Sequence, residues 1–166
     1  MAETTPPLDT SELISSLHQT LAFLSTSPYP NVPNPPSCKK RASVALLIRI
    51  RPHYSQPPPA SSSSHTSSDS SDSSRLESFF SQPWVQQGDP EVAFIKRAAR
   101  VGDRWTSHVA LPGGKRDPED EDDRATAMRE TFEEVGLDLN REDVLSVGHL
   151  PERVVSTSWG KVPYVP

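Results

Sequence analysis

The sequence predicts an α/β fold, and three stretches carry that prediction. Ala42 to Ile50, ASVALLIRI, is apolar, rich in branched side chains and alternating towards its end, the pattern of a strand. Glu91 to Arg97, EVAFIKR, reads as a second strand. After an acidic loop, Met128, Phe132 and Val135 recur at i, i+4 and i+7 in a helix that stops at Gly136, an apolar stripe suited to packing on a sheet.

Taken in order, Met1 to Pro7 reads as a disordered start. Asp9 or Thr10 then caps a helix with Glu12 in its first turn. Leu13, Ile14, Leu17, Leu21 and Leu24 keep helical spacing up to about Ser25, before Pro28 and Pro30. Packing on its own domain is the favoured role for this helix, over docking on a partner. Residues 28–37 form a Pro/Asn linker, so residues 1–37 make an N-terminal region and 38–166 the domain. Lys39, Lys40 and Arg41 precede the first strand, where a solvated strand end is favoured over contact with a substrate phosphate. Between the strands, about residues 52–87, a proline triplet and a serine run predict a disordered insertion, because such a segment buries too little apolar surface to offset its ordering entropy. Phe79, Phe80 and Trp84 are placed to anchor its end. Asp143 to His149 fits a further strand, and 153–158 and 161–165 further extended pieces.

Composition restricts the function. The 166 residues include 18 prolines and are 33% hydrophobic, so ordered structure must be concentrated in part of the chain. A net charge of −5 argues against nonspecific nucleic-acid binding, which needs a basic surface. No apolar run approaches membrane-spanning length, so no membrane partner is expected. The single cysteine, Cys38, suits a reducing compartment, and the ends of the sequence show no secretory, mitochondrial or peroxisomal address, so the expected location is cytoplasmic.

The chemistry lies in Leu111 to Leu137, LPGGKRDPEDEDDRATAMRETFEEVGL, where a Gly-Gly turn leads into the acidic loop and the helix. Residues three and four apart share a helix face, so Glu130, Glu133 and Glu134 point roughly the same way. Converging carboxylates repel unless a cation lies between them, and hard divalent cations such as Mg²⁺ and Mn²⁺ take oxygen ligands. Taken alone, such a run is more commonly a solvated face.

The order of the whole stretch resembles the signature of the Nudix hydrolases, G-x5-E-x7-R-E-U-x-E-E-x-G-U, with U aliphatic. Arg129, Glu130, Glu133, Glu134, Gly136 and Leu137 match in register. Two positions depart from it. Thr131 stands at an aliphatic position, and the glycine falls at Gly114 with Lys115 in its expected place, so the loop is one residue longer. The early acid is then Glu121 counted back from Arg129, or Asp120 counted forward from Gly114. Upstream, Arg97, Gly102, His108 and Leu111-Pro112-Gly113-Gly114 resemble the coenzyme A pyrophosphatase subgroup, with Leu111 for the commoner Phe and Ser107 for a common Gly.

The resemblance implies an αβα sandwich with a mixed sheet. No second major helix follows the last strands, so the sandwich is expected to be incomplete at the C-terminus, and a truncated fragment is one reading. It implies metal-dependent hydrolysis of a diphosphate linkage with Mg²⁺ or Mn²⁺, most directly in coenzyme A, giving 3′,5′-ADP and 4′-phosphopantetheine. Other small nucleoside diphosphate derivatives, ADP-ribose or a dinucleoside polyphosphate, are the second enzymatic reading, and a catalytically silent module is the third. Glu130 and Glu134 are the implied primary metal ligands, with Glu133 a third ligand or the general base and Gly114 a backbone carbonyl ligand. Arg129 is expected to orient a glutamate through a bidentate contact. Arg97, His108 and Lys115 are the candidate substrate-binding residues. For His108 a structural hydrogen-bonded role is favoured over substrate contact, and Trp105 is read either as a base-stacking residue or as cover for the core edge.

Overall fold

The computed structural model describes residues 9–27, 29–36, 38, 40–55, 57–59, 71–99, 101–102 and 107–154. It contains α1 (Thr10–Thr26), β1 (Ala42–Val44), β2 (Ile48–Arg51), α2 (Asp72–Phe80), α3 (Pro83–Gln86), β3 (Asp89–Val92), β4 (Ile95–Lys96), β5 (Val109–Ala110), β6 (Gly113–Lys115) and α4 (Asp123–Val135). The α/β class holds. In place of one mixed sheet, the described strands form three two-stranded pairs: β1 with β6, β2 with β3, and β4 with β5. The chain divides into two compact units, residues 1–28, 49–91 and 145–149, and residues 29–48, 92–144 and 150–166.

The first unit is built on helices. Asp9 caps α1 by accepting the Ser11 N–H, as its sequence position predicts. The segment expected to be a disordered insertion is corrected over 72–86, which holds α2 and α3. Ser71 caps α2, and Leu76 and Phe80, four apart, are buried with Ile14, Ile50 and Val85 in one core. Phe79, Phe80 and Trp84 do anchor the segment: the Phe79 ring meets the Phe80 and Trp84 rings edge-on at 5.3 and 5.7 Å, and His18 of α1 stacks on Phe80 at 4.5 Å. The strand expected over 143–149 is not formed; residues 144–150 have no regular element, and Leu145 and Val147 pack against this core instead.

The second unit holds the motif. The expected single strand 42–50 is broken at 45–47 because its partner changes. Ala45 N–H still bonds the Pro112 carbonyl on the β6 side, whereas the Leu47 carbonyl already accepts from Ala93 N–H. The second expected strand, 91–97, breaks likewise into β3 and β4. The expected Gly-Gly turn is also a strand: β6 runs antiparallel to β1 with Ser43 opposite Gly114. Gly113 has φ +148, and a Cβ there would collide with the Ser43 carbonyl and the Val44 backbone, so only glycine fits.

Helix α4 packs on β1 and β6, starting at the Asp122 cap and ending at Gly136 in the left-handed conformation. The face it presents is not the expected stripe. Phe132 and Val135 remain 59% and 44% exposed, while Thr126 and Thr131 are fully buried. A strand of glycines gives α4 no side chains to pack against, so short residues and glutamate stems face it closely.

Candidate metal and diphosphate site

The edge of β6 that β1 leaves open is closed by side chains of α4. In an antiparallel ladder successive residues bond alternately to the two sides. The bonds Arg116 N–H to Arg41 O and Ala45 N–H to Pro112 O place Ser43 and Gly114 in a hydrogen-bonded pair. The backbone groups of Gly113 and Lys115 therefore point away from β1, towards α4. There the Glu134 carboxylate accepts the Gly113 N–H at 2.9 Å, and Arg129 Nη2 donates to the Lys115 carbonyl at 3.0 Å. By the same register the Gly114 carbonyl, the expected metal ligand, is turned to Ser43. Gly114 itself is needed for a second reason: a Cβ there would run into the Glu130 carboxylate.

The acidic loop is organised by Asp120. Its carboxylate accepts from Arg129 Nε and Nη2 at 3.0 and 2.9 Å, from the Asp117 N–H at 2.9 Å and from Thr126 Oγ1 at 2.9 Å. The bidentate Arg129 contact, the Asp117 amide and the Thr126 hydroxyl hold its pKa far below the ordinary carboxylate value, and the same contact raises that of Arg129. Of the two acids open from the sequence, Asp120 is the partner of the motif arginine, whereas Glu121 is exposed and lends its carbonyl to Arg116. The expectation that Arg129 grips a glutamate bidentately is thus corrected. Its fork goes to Asp120, and only Nη1 reaches glutamates, Glu130 at 3.2 Å and Glu133 at 3.3 Å.

The candidate residues are brought together unevenly. Glu130, Glu133, Glu134, Arg129, Gly114 and the Lys115 backbone share one locus, with the Lys115 residue as a whole exposed. Arg97 and His108 meet each other, Arg97 N–H donating to the His108 carbonyl at 2.9 Å, in continuation of the β4–β5 pair rather than of β1–β6. Trp105 and Lys39 lie outside the described residues.

Sequence reasoning missed the anchor of α4. Arg41 is bonded through Nε to Asp123, the first residue of the helix, at 2.9 Å, and through Nη1 to the Val32 carbonyl and Asn34 at 2.9 and 2.8 Å. Its Nη2 lies 2.8 Å from Glu152, which in turn accepts the Val32 N–H. Asp123 and Glu152 raise the Arg41 pKa, in that order. The basic run was visible, but the carboxylates that pair with its arginine lie 82 and about 110 residues away in sequence, which no local pattern reveals.

The donor set fits a hard divalent cation. It offers carboxylate oxygens from three residues of one helix, with the Glu130 carboxylate in the space that a Cβ on Gly114 would fill. Among the described residues no three His, Cys, Asp or Glu side chains are gathered around a common point. Glu134 is turned to the Gly113 amide and Glu133 to Arg129, so both must turn for Glu130, Glu133 and Glu134 to act together.

Residues 83–162 match the NUDIX domain family. An uncharacterized protein of Schizosaccharomyces pombe is 48% identical over 89 residues, 51% of this chain and 27% of that protein. A mitochondrial coenzyme A diphosphatase of Mus musculus is 43% identical over 61 residues, 37% of this chain and 29% of that enzyme. A peroxisomal coenzyme A diphosphatase of the same species is 56% identical over 43 residues, 26% of this chain and 18% of that enzyme. The matches thus span under a third of the length of these relatives. No solved structure matches the chain.

Proposed function

We propose that the chain carries the metal-binding part of a Nudix pyrophosphohydrolase whose substrate is coenzyme A or a coenzyme A derivative, cleaved to 3′,5′-ADP and 4′-phosphopantetheine. The observation that carries this reading is the Glu130 carboxylate seated against Gly114 beside Glu133 and Glu134, in a segment that matches the NUDIX domain family. The substrate class is supported by the names of the two murine relatives.

Glu130 and Glu134, with Glu133 as third ligand, would hold a divalent cation, Mg²⁺ or Mn²⁺, which would supply positive charge against the phosphoryl oxygens of a diphosphate. The protein's own residues do the remaining work. Arg129, clamped by Asp120, fixes the helix face that bears the glutamates. Should Glu130 and Glu134 alone hold the cation, Glu133 instead takes a proton from the attacking water. Lys115, Arg97 and His108 are proposed to meet the substrate's phosphates. The cytoplasmic location is part of the proposal and is tested by imaging the tagged chain.

The experiment is product analysis with Mg²⁺ or Mn²⁺ against coenzyme A, ADP-ribose and a dinucleoside polyphosphate supplied separately. Release of 3′,5′-ADP from coenzyme A in preference to cleavage of the other two is expected. Preference for ADP-ribose or the dinucleotide reassigns the substrate within nucleoside diphosphate derivatives, and no cleavage of any of them supports a silent module.

A further inference from the structure

We propose that Arg129 is the counter-cation of the site before metal arrives, and that a divalent cation competes with it for the glutamates. This rests on the metal-dependent reading above and adds how the carboxylates are held without metal. The guanidinium is divided between two tasks. Nε and Nη2 are committed to Asp120 and to the Lys115 carbonyl, at 2.9 to 3.0 Å. Nη1 alone lies between Glu130 and Glu133, at 3.2 and 3.3 Å.

Two adjacent carboxylates that are 19% and 56% exposed would repel each other, and the single NH₂ group they share relieves that repulsion. Glu134 is held apart by the Gly113 amide. A cation that takes Glu130 and Glu133 must displace Nη1, while the clamp on Asp120 keeps the guanidinium from leaving. The stability of the metal-free arrangement is therefore subtracted from metal affinity, because a ligand gains only the difference between the two states it connects. A purely orienting arginine has the opposite consequence: removing it weakens metal binding.

The test is titration calorimetry with Mn²⁺ on the wild-type chain, Glu130→Gln, and the double variant Arg129→Gln/Asp120→Asn, with thermal unfolding of each. Arg129→Gln alone leaves the Asp120 carboxylate without its principal partner and risks unfolding. The double variant replaces both members by a neutral amide pair and leaves net charge unchanged. The proposal expects the double variant to unfold cooperatively without metal and to bind Mn²⁺ roughly threefold or more tightly than wild type, with binding lost in Glu130→Gln. Unchanged or weaker binding in the double variant, with Glu130-dependent binding intact in wild type, overturns the competition and leaves the metal site standing. Absence of Glu130-dependent Mn²⁺ binding in wild type overturns the competition and the metal-dependent reading together.

Discussion

Asp120 receives four hydrogen bonds, from Arg129 twice, the Asp117 amide and the Thr126 hydroxyl, and its charge is what makes them strong. Its pKa is depressed in the folded chain, so its contribution to stability is complete above the unfolded value of about 3.9 and disappears as pH falls below that value through the folded one. The thermal midpoint of wild type should therefore fall more steeply below pH ~4 than that of Asp120→Asn; parallel acid limbs would show that the pair contributes nothing. Thr131 makes a second prediction. Its hydroxyl is fully buried without a hydrogen-bond partner among the described residues, at a position where the family signature has an aliphatic side chain. Thr131→Val should leave stability unchanged or raise it by about 1 kcal/mol in denaturant unfolding, since it removes an unsatisfied polar group and keeps the shape.

Among the elements, those fixed by local signals were legible and those fixed by partners were not. Asp9 and Gly136 mark an end of α1 and of α4 because a cap and a left-handed stop act within one turn. The strands were expected too long because a hydrophobic run does not record where its partner changes, as at 45–47. Helix α2 was hidden by averaging: the proline- and serine-rich composition of 52–87 masked the helical spacing of Leu76, Phe79 and Phe80. The exposed Phe132 and Val135 follow from the glycine strand, whose effect on helix approach no periodicity predicts. Two element-scale outcomes are expected. Phe80→Ala should cost about 3–5 kcal/mol in the first unit, since it empties a fully buried aromatic site. Gly113→Ala should lower the unfolding midpoint of the second unit more than Lys115→Ala does, because its Cβ meets the β1 backbone whereas Lys115 is exposed.

Across the molecule, the motif lay open in the sequence: Glu130, Glu133, Glu134 and Arg129 were named in register and gather on α4. What was not legible is how they are held. Asp120 takes the arginine fork, Glu134 caps β6, and Arg41 draws β1, residues 32–34 and Glu152 to the start of α4, contacts between separate segments that composition and spacing do not encode. Glu134→Gln should preserve the fold, because an amide oxygen also accepts the Gly113 N–H, while lowering Mn²⁺ affinity by losing charge. The metal-dependent diphosphatase reading is tested by the release of 3′,5′-ADP from coenzyme A by the chain with Mg²⁺, compared with Glu130→Gln at matched thermal stability. Product is expected from wild type, with a loss of at least ~100-fold in the variant, the scale of losing a principal transition-state contact. Equal product from both, or none from wild type, would contradict it.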